Sequence, residues 1–94
     1  MLEDELLAEV LELCASHGVR TYRAVAGVRA QAGWPDLVLW SSWLIFRELK
    51  STTGRCSRRQ LELGRSLVVA GQDWGIWRPT DLESGLIEEQ IASL

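Results

Sequence analysis

The sequence is poor in the features that define several broad classes of protein. Its longest apolar stretches, LVLW, WLIF and LVVA, fall far short of the ~20 residues needed to cross a bilayer. No membrane partner is therefore expected. The opening residues, MLEDELL, carry acids where an export signal carries bases, so the expected setting is cytoplasmic. Only two cysteines occur, Cys14 and Cys56, which is too few for a disulfide framework and lacks metal-site spacing. Neither has a base in its local sequence that would make it a nucleophile. The single histidine, His17, stands beside Gly18 and reads as a helix end without chemistry. Repeats, low-complexity tracts and linkers are missing as well. What remains is an ordinary globular composition, 47% hydrophobic and 24% charged over 94 residues, the size of one small domain (1–94) with a modest core.

The formal net charge of −3 argues at first against a nucleic-acid partner, but its distribution reverses that impression. Glu3, Asp4, Glu5, Glu9 and Glu12 crowd the first 14 residues without a base, and Asp81, Glu83, Glu88 and Glu89 do the same in the last 14. All ten Lys and Arg residues lie between, against only Asp36, Glu48, Glu62 and Asp73. A basic body between acidic ends is a footprint for phosphate. The alternative is that acids simply favour helix N-termini.

Apolar residues from Leu2 to Cys14 repeat at helical spacing, with Glu5, Glu9 and Glu12 opposite the stripe and Glu3 near its middle. A carboxylate on the core side of a first turn is either frayed into solvent or aimed at something that wants an anion. Val19 to Val25 alternates like a strand, Ala26 to Trp34 reads as a loop, and Asp36–Trp40 with Trp43–Lys50 reads as a hairpin. Ser57 caps a helix from Arg58 to about Ala70, Asp73–Arg78 forms a last strand, and an amphipathic helix runs over roughly 81–93. The order α-β-β-β-α-β-α predicts an α/β fold with a central mixed sheet flanked by helices.

Alternation along the second hairpin strand puts Glu48 and Lys50 on one face with Leu44 and Phe46. Charges on an apolar strand face are costly unless they have a partner or a task. Asp36, at the start of the neighbouring strand, can reach the same place, and with Glu3 the carboxylates make an oxygen-rich site for a hard cation such as Mg²⁺. Lys50 can then orient or deprotonate a water, or stabilise charge on a phosphate. The competing reading is a buried ion pair at a sheet edge. A geometric condition separates productive from unproductive arrangements. A two-residue turn at Ser41-Ser42 would set Asp36 opposite Arg47, whereas a three-residue connection including Trp43 pairs position 36 with position 48. The metal-site reading requires the latter.

These residues carry a resemblance. GWPDLVLW, FRELK, TGRCSRRQLELGRSLVVAG and WGIWRP together resemble the VRR-NUC family, small nucleases of the PD-(D/E)xK superfamily common in bacteriophages. The likeness runs from the first helix through the tryptophan-rich last strand. It implies a restriction-endonuclease-like core, with Asp36, Glu48 and Glu3 as metal ligands, Glu5 being the other choice for the first-helix carboxylate. It further implies Lys50 as the active-site lysine, Gln60 as the glutamine of the second helix, and Mg²⁺ or Mn²⁺ as cofactor. The implied activity is cleavage of DNA phosphodiesters, and for stand-alone members a homodimer that cuts branched DNA such as four-way junctions. Trp34 before Pro35 and Arg47 before Glu48 depart from the usual pattern without removing a catalytic group.

Arg55, Arg58 and Arg59 sit just past the proposed site at a helix start, where backbone N–H groups also favour phosphate, and Arg29, with Arg20 and Arg23, is a further candidate. A charge run can equally be a solvated face. Of the five tryptophans, most read as packing; Trp34 beside the site can stack on a base, and others can anchor a subunit interface. Two function classes therefore stand: a metal-dependent DNA endonuclease acting on junctions, flaps or linear ends, and a non-catalytic DNA-binding or interaction module of the same fold.

Overall fold

The computed structural model describes residues 1–23 and 31–94, and their order is α1 (Glu3–Ser16), β1 (Arg20–Arg23), β2 (Leu37–Trp40), β3 (Leu44–Leu49), α2 (Arg58–Val69), β4 (Asp73–Trp77), α3 (Pro79–Glu83) and α4 (Leu86–Ala92). The strands form one open sheet in the order β1-β2-β3-β4, antiparallel through the first three and parallel between β3 and β4. The parallel step is the one that needs a crossover, and α2 supplies it. The fold is thus a small α/β unit with a four-stranded mixed sheet. Among the described residues no helix is long and apolar enough to cross a membrane.

Strand alternation divides the sheet into two faces with different tasks. Leu37, Leu39, Ile45, Leu49 and Trp77 project to one side and are buried against Leu6, Val10 and Cys14 of α1 and Ile87 and Ile91 of α4. The four-residue spacing of the α1 set is the buried line of the stripe seen in the sequence. The opposite face carries Phe46, Glu48 and Trp74 under α2, whose Gly64 lies directly over the Trp74 indole.

Arg47 is the exception on the core face. It is only 5% exposed, and its guanidinium is satisfied from several sides. Nη1 donates to the Phe46 and Asp73 carbonyls at 2.9 and 3.1 Å and to Asp73 Oδ1 at 2.9 Å, while Nη2 donates to Gln90 Oε1 at 3.2 Å. The same Gln90 oxygen accepts from Trp77 Nε1 at 2.9 Å, and the guanidinium carbon lies 5.2 Å from the Trp77 ring centroid. A buried charge this fully partnered joins β3, β4 and α4.

Two expectations about the elements need correction. The C-terminal helix is not continuous: it breaks at Ser84 and Gly85, where Gly85 takes a φ of +85°, a left-handed conformation that separates α3 from α4. The last strand ends at Trp77, because Arg78 is already the cap of α3 and Pro79 has no N–H to extend the ladder. Positions 24 and 25 of the expected first strand, most of the following loop and Arg29 lie outside the described residues.

Gly64 allows a packing test. Alanine is the better helix former by ~1 kcal/mol, yet a Cβ at position 64 would overlap the Trp74 ring, and overpacking of this kind costs about 1–3 kcal/mol. Gly64→Ala is expected to lower the melting temperature; a rise on thermal denaturation would show that α2 does not seat on Trp74 as described.

Candidate active site

The site begins with the register of the hairpin. Leu37 pairs with Arg47, Val38 with Phe46, Leu39 with Ile45 and Trp40 with Leu44, so Ser41, Ser42 and Trp43 form the three-residue connection. Its closure is a bond from Ser41 N–H to the Trp43 carbonyl at 3.3 Å. Continued one step, that register sets Asp36 against Glu48, the arrangement the metal-site reading requires. Asp36 Oδ2 accepts the Leu49 N–H at 2.7 Å, which fixes the carboxylate across the end of the two strands, beside Glu48.

Gln60 arrives from the opposite direction. Ser57 Oγ accepts the Gln60 N–H at 3.2 Å, and Gln60 Oε1 accepts the Ser57 N–H at 2.8 Å, a reciprocal capping box at the start of α2. With its oxygen committed to the cap, the amide nitrogen is free to donate to Glu48 Oε1 at 3.1 Å. The resemblance alone singles out Gln60; the S-R-R-Q spacing is a signal that could have done so, since a residue three after the cap has its side chain aimed back over the helix entrance, where Glu48 lies. The loop entering β2 abuts the same turn. Gly33, at a φ of +87°, comes so near that a Cβ would stand 2.6 Å from the Arg59 carbonyl oxygen, so both its conformation and its space call for glycine.

Glu3 completes the approach from α1. It is half-buried and lines a small cleft of about 100 Å³ with Asp4, Leu7, Arg23, Asp36 and Leu49. Glu5 is turned to another task, since its carboxylate accepts the Leu2 N–H at 3.4 Å at the helix's own entrance. Of the two choices, Glu3 therefore faces the cleft. Arg23, a lesser candidate from sequence, stands at the cleft wall because β1 pairs it with Leu37, one residue from Asp36.

The electrostatics of this cluster are unbalanced toward negative charge. Glu48 is fully buried, and its Oε2 has no hydrogen-bond partner. Burial first, then the adjacent Asp36, pushes its carboxyl up to about 9, with Lys50 offsetting part of the rise. Burial and Asp36 also raise Glu3 above the ordinary carboxylate range, again against Lys50. Lys50 is 9% exposed, yet the ion pairs among the described residues are His17–Glu88, Arg47–Asp73 and Arg58–Glu62, and none includes it. A closed ion pair at the sheet edge therefore does not describe these residues.

The donor set fits a hard cation in kind. Among the described residues no three His, Cys, Asp or Glu side chains already converge as a metal cluster. The Asp36–Glu48 pair is nonetheless all-oxygen and includes a buried oxygen without a partner, and Mg²⁺ characteristically takes one or two carboxylates and keeps several waters. Glu3 stands across the cleft as a further oxygen donor.

The basic residues lie outside this centre. Arg55, Arg58 and Arg59 are exposed; Arg58 Nε donates to Glu62 at 2.9 Å, and Arg59 borders an open groove of about 420 Å³ with Gln31, Leu63 and Ser66. Trp34 is half-buried and packs edge-on against Phe46, ring centroids 6.1 Å apart, so part of its surface is already used in packing. The thiols are poor nucleophiles: burial pushes Cys14 up to about 11 and raises Cys56 as well.

The raised Glu48 pKa has a direct consequence for stability. Between the ordinary value of 4.5 and about 9, the folded protein holds a proton that the unfolded chain has released. The Glu48 contribution is thus complete below pH 4.5 and declines as pH rises toward 9. In EDTA, Glu48→Gln should melt close to the wild type near pH 5 and above it at pH 8–9, by ~4 °C or more, the shift given by about 1 kcal/mol in a domain of this size. A melting difference that does not change with pH would contradict the assignment.

Comparison with family models, with curated proteins and with solved structures returned no match.

Proposed function

We propose that the protein is a divalent-metal-dependent DNA endonuclease with a restriction-endonuclease-like core of the VRR-NUC type. The observation that carries this reading is Glu48: a fully buried carboxylate with an oxygen unpartnered among the described residues, beside a second carboxylate and near a lysine that none of their ion pairs includes. Such a group is costly to keep for stability alone. It is useful where a cation binds.

Asp36 and Glu48, with Glu3, would hold Mg²⁺ or Mn²⁺. When bound, the ion supplies positive charge at the phosphoryl oxygens and lowers the pKa of a coordinated water. Gln60 keeps Glu48 Oε1 in one orientation, leaving Oε2 for the cation. The Lys50 ammonium orients the attacking water or neutralises charge developing on the phosphate. Water oxygen forms the new bond to phosphorus and releases a proton to solvent, the bond to the leaving deoxyribose oxygen breaks, and that oxygen takes up a proton from solvent. Arg55, Arg58 and Arg59, at the N-terminal end of α2, would contact flanking phosphates in a salt-dependent way.

A homodimer acting on branched DNA is part of the proposal. Trp43 and Leu44 at the hairpin, and Val68 and Val69 at the end of α2, are large apolar side chains left 40–87% exposed. A small core gains stability from covering such surface, and a two-fold pair would offer two sites to a symmetric junction.

The test compares a synthetic four-way junction with linear duplex, with and without Mg²⁺ or Mn²⁺. Cleavage should require metal, and Lys50→Ala and Asp36→Ala should each lower the single-turnover rate roughly 10²- to 10³-fold, as removal of one charge-stabilising group does elsewhere. Equal cutting of junction and duplex would remove the structure selectivity and retain the nuclease. DNA binding without cleavage under any metal would instead identify a non-catalytic module.

A further inference from the structure

A further residue acquires a task if the nuclease reading holds. Lys50 and Gln60 flank Glu48 from two elements, and the chain between them runs from Ser51 to Cys56 before reaching the Ser57 cap. Its entrance is fixed, because the Lys50 N–H donates to the Trp77 carbonyl at 3.0 Å as a last rung between β3 and β4. Beyond that point the segment has one local bond, from Gly54 N–H to Ser51 Oγ at 2.9 Å. Nothing in that bond ties the turn to the sheet.

Arg78 supplies the tie. Its Nη1 donates to the Ser51 carbonyl at 2.9 Å and to the Gly54 carbonyl at 2.6 Å, joining both ends of the turn to the residue that follows β4. Arg78 is itself held, since its N–H donates to Asp81 Oδ2 at 2.8 Å and Pro79 fixes the next backbone step. A guanidinium suits the position because it is rigid, permanently charged and a strong donor to two converging carbonyls. Its absence would leave those carbonyls to water and free the turn to open.

We propose that Arg78 is a positioning residue for the active site: by clamping Ser51 and Gly54 it sets where Lys50 and the Gln60 cap stand relative to Glu48. It acts through the turn and touches none of the three side chains in the hydrogen bonds observed. The clamp adds to the Lys50–Trp77 rung a second tie, from the residue after β4 to the far end of the turn at Gly54.

Arg78→Ala and Arg78→Lys test this in two independent ways. In NMR spectra of the metal-free protein, the Gln60 side-chain NH₂ resonance should shift in Arg78→Ala, amide exchange over 51–56 should accelerate, and exchange in β2 and β3 should stay as in the wild type. In cleavage of a four-way junction with Mg²⁺, kcat should fall roughly 10- to 100-fold, the scale of a small misplacement of catalytic groups, with KM for DNA within about twofold. Arg78→Lys, which keeps a cation and donors, should recover part of both effects. A rise in KM with kcat intact would make Arg78 a phosphate contact and overturn the proposal. An unmoved Gln60 resonance would overturn it too, as would loss of protection throughout the sheet in both variants. If the wild type cuts no DNA, the nuclease reading fails, while the Gln60 resonance and the exchange over 51–56 still decide whether the clamp positions that side chain.

Discussion

A strand pair has only two ways of facing, and the length of its connection selects one of them. With three residues between β2 and β3, position 36 meets position 48 on the face covered by α2, and Leu37, Leu39, Ile45 and Leu49 meet on the face covered by α1 and α4. Removing one residue from the connection would turn one strand's side chains over relative to the other. The core would then receive the wrong set, and Asp36 would look at Arg47. The hydrophobic core and the carboxylate pair are thus set by a single choice of register. Burial of the apolar set contributes far more free energy than any polar contact in the site, so the core enforces a geometry that the acids alone could not hold.

Two successive residues of β3 show how differently one strand can treat a buried charge. Arg47 points into the core face and finds Asp73, Gln90, two carbonyls and the Trp77 ring, so that both terminal nitrogens of its guanidinium are partnered. Glu48 points to the other face and finds one amide, one competing carboxylate and an oxygen with no partner. Both residues are buried, Glu48 as fully as the core leucines. The first contributes to architecture. The second is a standing imbalance whose natural remedy is a proton or a cation, and the two remedies compete for the same oxygen.

Much of this was legible in the residues because local signals agreed with the global arrangement. Alternation in DLVLW and WLIFRELK located the hairpin, the helical spacing of Leu6, Val10 and Cys14 located the buried line of α1, and the cost of Glu48 and Lys50 on an apolar strand marked the site. The helical angle of Glu3 favoured it over Glu5 without deciding between them; the cleft contact and the Glu5 bond to the helix entrance make the distinction. Other features depend on partners distant in sequence. Nothing near Arg47 announces Gln90, and nothing near Arg78 announces the carbonyls of Ser51 and Gly54, because backbone oxygens carry no sequence label. The break at Gly85 was hidden for a different reason: the apolar spacing continues across it, and a glycine within a periodic stretch does not declare its φ.

The contact between Gly33 and the Arg59 carbonyl has an implication for how such a protein can change over generations. It joins the segment leading to Asp36 and the helix turn carrying Gln60 through backbone atoms alone. Side chains on either side of that seam, Gln31, Ala32 and Arg59 among them, border the open groove. The contact at Gly33 is with backbone atoms of Arg59 and Gln60 and uses none of those side chains. Side chains bordering the groove are thus distinct from the backbone contact that brings the segments of Asp36 and Gln60 together, and exchanging one need not alter the other.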